Sequence, residues 1–160
     1  MKETLSLLVN NEAGVTSRIS GLFTRRAFNM ESITGGVTEN PNISRMTIVV
    51  DGDEDTLDQV KKQLMKLEDV LEIEELVPGS SVCRELMLVR VGVNEIQRPE
   101  VVSVANIFRA NVVDVAKDSL MIEITGDTSK NDAFLELLAG YEIRGIARTG
   151  VAGLCRGNAR

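Results

Sequence analysis

The sequence contains no histidine and no tryptophan, and it has only one tyrosine and four phenylalanines in 160 residues. Histidine is the commonest general base and the commonest metal ligand, so its absence argues against catalysis, although carboxylates and lysines remain. Because aromatic residues are scarce, a core must be built from valine, isoleucine, leucine and methionine. Hydrophobic residues make up 43% of the chain, which is enough for a packed globular core.

A surplus of positive charge and long apolar runs are also missing. The net charge is −6, whereas nucleic-acid and anionic-membrane surfaces need clustered lysine and arginine. No apolar run approaches the length of a membrane span, and no basic segment precedes an apolar one near the N-terminus. We therefore expect no nucleic-acid or membrane partner, and a location in the cytoplasm or in an organelle stroma reached with a lost transit segment.

Cysteine is rare as well. Cys83 and Cys155 lie far apart in the sequence, without a C-x-x-C pattern and without histidines that could complete a metal site. A structural disulfide is not expected in a reducing compartment, so both residues are interpreted as plain thiols. The sequence predicts no metal site and no cofactor bound by this chain.

Hydrophobic periodicity divides the first 76 residues into six elements in the order βαββαβ. Alternation predicts strands, and apolar residues at helical spacing, such as Val15, Ile19 and Leu22, predict helices. The elements are, in order, TLSLLVN, a helix from Val15 to Phe23, SITGGVT, SRMTIVVDG, a helix capped by Asp53, and VLEIEEL.

The same order recurs after the Pro- and Gly-containing linker VPGSS at residues 77–81. The second set comprises ELMLVRVGV, a helix that starts at Pro99, NVVDVA, SLMIEIT, a helix capped by Ser129 and stopped by Gly140, and EIRGIART. The sequence therefore predicts an α+β fold of two ferredoxin-like βαββαβ units, in domains 1–77 and 82–160. Each unit is expected to have an antiparallel sheet with both helices on one face.

Two segments resemble ligand-binding loops without completing the pattern. DGDEDTLDQVKK resembles an EF-hand loop, but Thr56 stands at the glycine position and Lys62 at position twelve. GIARTGVA has glycines at the separation of a phosphate-binding loop, but Val151 and Ala152 follow where lysine and serine or threonine are needed. We interpret the first as a helix start with an acidic first turn and reject the second.

Other polar patterns have ordinary explanations. Glu72 and Glu74 are expected to share the solvent face of an alternating strand. The predicted central strands TLSLLVN and SRMTIVVDG contain no aromatic residue, although RNA-binding sheets of this fold stack bases on aromatic side chains. RNA binding is thus excluded on two independent grounds.

The stretch NNEAGVTSRISGLFTRRAFNMESI carries the candidate site. Gly14 precedes a helix whose first amides have no intrahelical acceptor, and such amides attract a carboxylate. Glycine lets a ligand approach the backbone, and Asn11 can donate or accept a hydrogen bond beside it. The alternative is that asparagine and glycine simply form the turn that any helix start needs.

Asn29 lies at the other end of this helix, about 20 Å away at roughly 1.5 Å per residue. No small ligand can touch Gly14 and Asn29 of one chain. In a two-fold dimer with antiparallel first helices, each Gly14 would meet the partner's counterpart of Asn29, which would create two equivalent sites. Taken alone, Asn29 is better explained as a left-handed residue that ends the helix.

At these residues the sequence resembles the regulatory small subunit of acetolactate synthase, also called acetohydroxyacid synthase, whose N-terminal half is an ACT domain. The matching segments are NNEAGVTSRISGLFTRRAFNMESITGG, SRMTIVVDGDE, KQLMKLEDV, RELMLVRV and RTGVAGLCRG. The resemblance spans the whole chain and is weaker between Asn94 and Tyr141. Ala27 and Met30 stand where the family more often has glycine and isoleucine.

The resemblance implies a non-catalytic homodimer that binds the catalytic large subunit, activates it and confers feedback inhibition, usually by valine, in branched-chain amino acid biosynthesis. Thiamine diphosphate, Mg2+ and FAD would belong to the large subunit. The effector would lie between two ACT domains. This carries over to Asn11 and Gly14 of one chain and Asn29 of the other, with Val15 and Met30 as neighbours.

Two further hypotheses remain open at this stage. One is a free-standing ACT-type amino-acid sensor that acts on another partner, and the other is a small enzyme of ferredoxin-like fold. The first would bind an effector without influencing acetolactate synthesis, and the second would show turnover on its own.

Overall fold

The computed structural model describes residues 1–157 as two compact units. The first unit comprises Met1–Cys83 together with the chain from Val151 onward, and the second comprises Arg84–Gly150. Residues 82–160 were expected in one domain; in the structure, the described residues from 151 onward pack with the first unit. The last three residues of that expected domain lie outside the described part of the chain.

The first unit has the predicted order of elements. These are β1 (Lys2–Asn10), α1 (Val15–Arg26), β2 (Asn29–Val37), β3 (Ile43–Asp51), α2 (Glu54–Met65) and β4 (Val70–Glu75). The strands form an antiparallel sheet in the order β2-β3-β1-β4. The two segments predicted to be central, β1 and β3, are the central strands.

Both helices of this unit pack on one face of the sheet. Leu5, Leu7 and Val9 alternate along β1, and each is at most 1% exposed. They join buried residues of α1 and α2, such as Ile19 and Leu64, in one cluster. A single-sided core explains why β1 alternates in sequence, because successive side chains of a strand point to opposite faces.

The segment that resembles an EF-hand is the start of α2. Asp53 accepts a hydrogen bond from the amide of Thr56 at 2.7 Å. Hydrogen bonding from the side chain of Thr56, and then from its amide, lowers the pKa of Asp53. Glu54 and Asp55 occupy the first turn, where the helix dipole favours acidic residues. The prediction of a capped helix with an acidic first turn is confirmed.

The helix α1 ends earlier than Asn29, so the interpretation of Asn29 as the left-handed residue was wrong. Ala27 has φ 54°, and its amide donates to the carbonyl of Thr24, while the amide of Phe28 donates to the carbonyl of Phe23. These two bonds form a Schellman motif, completed by an edge-to-face contact of the two phenylalanine rings at 5.9 Å. Asn29 lies beyond this motif and begins β2.

The second unit repeats the architecture. Its elements are β5 (Ser81–Gly92, which begins in the first unit), α3 (Gln97–Ile107), β6 (Asn111–Val115), β7 (Ser119–Gly126), α4 (Thr128–Leu137) and β8 (Glu142–Arg148). The sheet order is β6-β7-β5-β8, and all its described pairings are antiparallel. Met87, Val89 and Val91 of β5 are fully buried against both helices. The predicted α+β fold with two ferredoxin-like units is confirmed.

In the structure, both helices of this unit are capped by residues upstream of those predicted. Asp127, not Ser129, caps α4, because its carboxylate accepts from the amide of Lys130 at 2.8 Å. Pro99 lies within the first turn of α3, which is capped by Asn94. In both cases a polar side chain slightly upstream of the predicted residue accepts a hydrogen bond from an amide at the start of the helix.

The end of α4 also differs from the prediction. The helix ends at Leu137, and Leu138 follows with φ −92° and ψ 0°. Gly140 has no positive φ, so it is not the left-handed residue that was expected to stop this helix.

One ion pair with a buried carboxylate stands out in the second unit. Glu85 is only 5% exposed and accepts two hydrogen bonds from Arg148, at 2.9 and 2.8 Å. Asn131 donates to the Glu85 main chain at 3.1 Å. Arg148 holds the pKa of Glu85 below its usual range.

After Gly150, which has φ 84°, the chain continues into β9 (Ala152–Cys155) and not into a helix. A phosphate-binding loop would need a helix there, so this geometry agrees with rejecting that motif. The strand β9 pairs with β5, and the amide of Arg156 donates to the carbonyl of Ser80 at 2.8 Å. Within residues 1–157, no helix is long and apolar enough to cross a membrane.

Candidate functional site

The candidate loop, residues 10–14, connects β1 to α1 and is tied to the neighbouring loops of the first unit. The amide of Asn10 donates to the carbonyl of Asp69, and that of Asn11 to the carbonyl of Asn42. The side chain of Asn11 donates to the carbonyl of Pro41 at 2.9 Å. These bonds fix the loop beside the N-terminus of α1, with Asn11 exposed.

Gly14 is the residue that turns the loop into the helix. Its φ of 88° is a left-handed conformation that favours glycine, and it is exposed. A Cβ at this position would stand 2.9 Å from Nη1 of Arg18. The backbone at Gly14 is therefore covered only by one end of a flexible side chain, and a ligand can approach it closely.

The N-terminus of α1 carries no side-chain cap. The other helices within residues 1–157 each begin with one: Asp53 at α2, Asn94 at α3 and Asp127 at α4. The amide of Val15 makes only a long hydrogen bond, 3.5 Å, to the carbonyl of Glu12. The next amides of the first turn and the positive end of the dipole at α1 are thus available to an anion.

The corresponding loop of the second unit makes this difference clear. Asn94 accepts from the amide of Gln97 at 2.8 Å, and Gln97 accepts from the amide of Asn94 at 3.1 Å, which is a capping box. Beside it a cleft of about 360 Å³ contains Arg144, whose guanidinium already pairs with Asp118 and Glu142. The two units share a fold, but only the first leaves the amides of its first helix open.

Arg18 is a charged residue at the site that the sequence analysis missed. Its Nε lies 2.6 Å from Oδ2 of Asp69, and this hydrogen bond raises the pKa of Arg18. The guanidinium adjoins Gly14, and the carboxylate of Glu12 also acts on it. The signal in the sequence was its position four residues after Gly14, which places both on the same side of the helix.

The structure groups the predicted site residues in two separate places. Asn11, Gly14 and Val15 lie together at the start of α1, but the side chain of Val15 is 4% exposed and belongs to the core. Asn29 is exposed at the start of β2, and Met30 is half-buried against the core. Since α1 has 12 residues, its ends are about 18 Å apart. One chain does not bring the two groups together.

Titratable groups elsewhere give no sign of a metal centre. Within residues 1–157, no three histidine, cysteine, aspartate or glutamate side chains are placed to hold a metal ion. Cys83 and Cys155 do not form a disulfide, and a hydrogen bond to Glu74 raises the pKa of the Cys155 thiol. Glu72 is exposed as predicted, but Glu74 is half-buried beside Cys155 of β9.

Two family models match the chain. The model described as "AHAS small subunit-like ACT domain" matches residues 5–72, and the model described as "Small subunit of acetolactate synthase" matches residues 84–157. Together they cover most of both units.

Relatives match over almost the full length. The chain is 50% identical to a protein of Archaeoglobus fulgidus named probable acetolactate synthase small subunit, over 99% of each chain. It is 46% identical to the acetolactate synthase small subunit of Mycolicibacterium smegmatis, over 96% of this chain and 91% of that protein. The crystal structure of the small subunit from Thermotoga maritima superimposes with a TM-score of 0.91 at 39% identity, with 99% of each chain covered.

Proposed function

The chain belongs to the family of acetolactate synthase small subunits, and on that premise we propose that it activates the catalytic large subunit and confers feedback inhibition by valine. The family predicted from the sequence motifs is confirmed, and an N-terminal ACT domain supports a regulatory role. The observation that carries the effector site is the open N-terminus of α1 at Gly14.

In this proposal the effector's carboxylate lies at the amides that follow Gly14, with Asn11 and Arg18 beside it. This position of the effector's carboxylate would account for the glycine at residue 14, since any larger side chain at that residue would occupy the same space. Val15 would contribute no side-chain contact, because its side chain is buried in the core, and its amide would have to exchange a long bond to the carbonyl of Glu12, 3.5 Å, for one to the effector.

Asn29 and Met30 of a second chain would complete the site. The length of α1 separates these residues from Gly14 in one chain, whereas two chains with antiparallel first helices would bring the two ends together. We therefore propose a homodimer formed through the ACT domains, with effector binding and dimerisation assigned to residues 1–77. Residues 82–160 would form the C-terminal domain, whose last segment is docked on the first.

The expected affinity is that of a metabolite sensor. A charge-assisted hydrogen bond contributes about 1.5–3 kcal/mol, and burial of an isopropyl group contributes roughly 1.5–3 kcal/mol. Set against the cost of immobilising the ligand, these values suggest a dissociation constant between about 1 μM and 1 mM. That range allows the site to respond to changing valine concentrations.

Catalysis is assigned to the large subunit, together with thiamine diphosphate, Mg2+ and FAD. Inhibition then requires valine to favour an arrangement of the small subunit different from the one that activates the enzyme. At equilibrium, valine and the activating contact must weaken each other by the same factor.

The test is to titrate the large subunit of the same organism with this chain and to measure acetolactate formation with and without millimolar valine. We expect the rate to rise with added chain and valine to reverse the rise. A rise that valine leaves unchanged would retain the activating role and reject valine as effector. No rise at all, combined with measurable amino-acid binding, would instead favour the free-standing sensor.

A further inference from the structure

The chain from residue 151 to 157 covers the face of the first sheet that the helices leave open. This segment, here called the strap, contains β9 and follows directly on the last residue of the second unit. From residue 151 to 155, half-buried and exposed residues alternate. That is the pattern of a strand with one side against a surface.

The surface under the strap is a row of polar side chains, one from each strand of the first sheet. The strand register places Thr34 opposite Thr47, Thr47 opposite Ser6, and Ser6 opposite Glu74. Ser6 and Thr47 are only 1% and 2% exposed, although they lie on the face away from the helices. Thr47 is in contact with the docked strap, and Ser6 accepts a hydrogen bond from Nη1 of Arg45 at 2.6 Å. The burial of Thr47 indicates that the strap is part of the structure of this unit.

The inward residues of the strap each contact one member of this polar row. Thr34 Oγ1 donates to the carbonyl of Val151 at 2.9 Å, and the amide of Gly153 donates to Thr47 Oγ1 at 3.4 Å. The Cys155 thiol lies near Glu74, which raises the pKa of that thiol. The strap therefore crosses the sheet from the edge strand β2 to the opposite edge strand β4.

Gly153 lets the strap approach this closely. A Cβ at Gly153 would stand 2.7 Å from Sγ of Cys83, 2.7 Å from Cδ1 of Leu76 and 3.2 Å from the carbonyl oxygen of Val82. The first two distances are shorter than real contacts of a Cβ atom. Any larger residue at position 153 must shift the strap relative to Leu76 and Cys83 or displace those two side chains.

The strand β2 is one of the two edge strands of its sheet. In the described sheet it pairs with β3 alone, and its register shifts between Met30 and Ser32. A shift of this kind loosens the ladder locally and bends the strand. This register shift lies immediately after Asn29 and Met30, the two residues that β2 would contribute to the proposed effector site.

We propose that the strap positions the effector site by fixing β2. The hydroxyl of Thr34 ties β2 to the strap on the far side of the irregularity, so the placement of Asn29 and Met30 depends on whether the strap is docked. Thr34 and Gly153 are positioning residues, and neither touches the ligand. This inference rests on the proposed effector site and names a part of the fold that regulates it.

The test compares four variants of the full-length chain. Thr34→Val removes the donor at similar volume, Thr34→Ser keeps the hydroxyl, and Gly153→Ala disturbs the strap directly. Gly36→Ala is the matched control, because Gly36 lies on the same face of β2 and a Cβ there meets nothing within 4 Å. Valine affinity is measured by calorimetry, and amide hydrogen exchange of residues 29–37 is measured without ligand.

We expect Thr34→Val and Gly153→Ala to raise the dissociation constant for valine about fivefold or more, the loss typical of one hydrogen bond. Exchange in β2 should become faster in the same two variants. Thr34→Ser should restore wild-type binding, and Gly36→Ala should change neither quantity. A role confined to overall stability would not be rescued selectively by the serine hydroxyl.

Unchanged valine affinity in both disturbed variants would overturn the inference. If the wild-type chain binds no branched-chain amino acid, the proposed effector fails, and hydrogen exchange then decides the positioning role alone. Faster exchange of β2 in Thr34→Val and Gly153→Ala, but not in Gly36→Ala, would support that role. Equal exchange in all variants would refute it.

Discussion

Replacement of Gly14 by aspartate tests the effector site most directly. The new carboxylate would lie at the open amides of α1 and beside Arg18, where the effector's own carboxylate is proposed to bind. The aspartate side chain would thus accept hydrogen bonds from the first amides of α1, as Asp53 and Asp127 do at α2 and α4. We expect valine binding to be lost.

The size of the loss follows from the number of bonds that are replaced. Two charge-assisted hydrogen bonds contribute about 3–6 kcal/mol together, which corresponds to a factor of roughly 10² to 10⁴ in affinity. A ligand with a dissociation constant near the micromolar-to-millimolar range would then no longer bind at millimolar concentration. Folding should change less, because an aspartate cap is worth about 0.5–2 kcal/mol and the left-handed backbone costs a similar amount.

Calorimetric titration with valine is the assay, with thermal unfolding measured on the same samples. Gly14→Ala is the control, since it imposes the same backbone strain without the charge. We expect the alanine variant to bind more weakly than the wild type but more strongly than the aspartate variant. Valine affinity in Gly14→Asp equal to that of the wild type would refute the assignment of the site. Equal losses in both variants would refute the electrostatic part of the reasoning.

Two further predictions concern stability. Ala27→Gly should raise the free energy of unfolding by about 0.5–1 kcal/mol, because Ala27 has φ 54° and glycine adopts that conformation without strain. As the contrasting variant, Ala133→Gly in the interior of α4 should lower the free energy of unfolding by a similar amount. Denaturant titrations measure both changes. The lowered pKa of Glu85 means that its pairing with Arg148 stabilises the fold above the ordinary glutamate pKa, and that this stability is lost as the pH falls through the lower folded-state pKa. Urea titrations between about pH 6 and pH 3 should therefore show a flatter pH dependence for Glu85→Gln, and an unchanged slope would contradict the assigned role.

The order of the elements could be predicted because each has one buried side. Alternation in β1 and the helical spacing of Val15, Ile19 and Leu22 each reflect a single-sided core. Helix ends were predicted less well, because they depend on which of several nearby polar groups accepts hydrogen bonds from the unpaired amides. Asp127 in place of Ser129, and Ala27 in place of Asn29, are both differences of two residues that periodicity does not resolve.

The candidate site was likewise only partly predictable from the sequence. The pairing of asparagine with glycine before a helix pointed to Gly14, and the structure leaves that helix start without a side-chain cap. Arg18 was missed because an arginine on a helix surface is ordinary in sequence. Only the fold places its guanidinium against Gly14 and its Nε against Asp69, a residue 51 positions later in the chain.

The sequence by itself determined the repeated βαββαβ order, the family and the glycine at the start of α1, because these depend on local periodicity and on short motifs. The tertiary structure decided which residues share the far face of the first sheet. Thr47 and Glu74 have the alternation of a solvated face, yet Thr47 is buried and Glu74 half-buried beside a segment that begins at residue 151. Local pattern cannot predict that contact, because it forms between segments that are 106 and 117 residues apart at its two hydrogen bonds and is fixed only when the chain has folded.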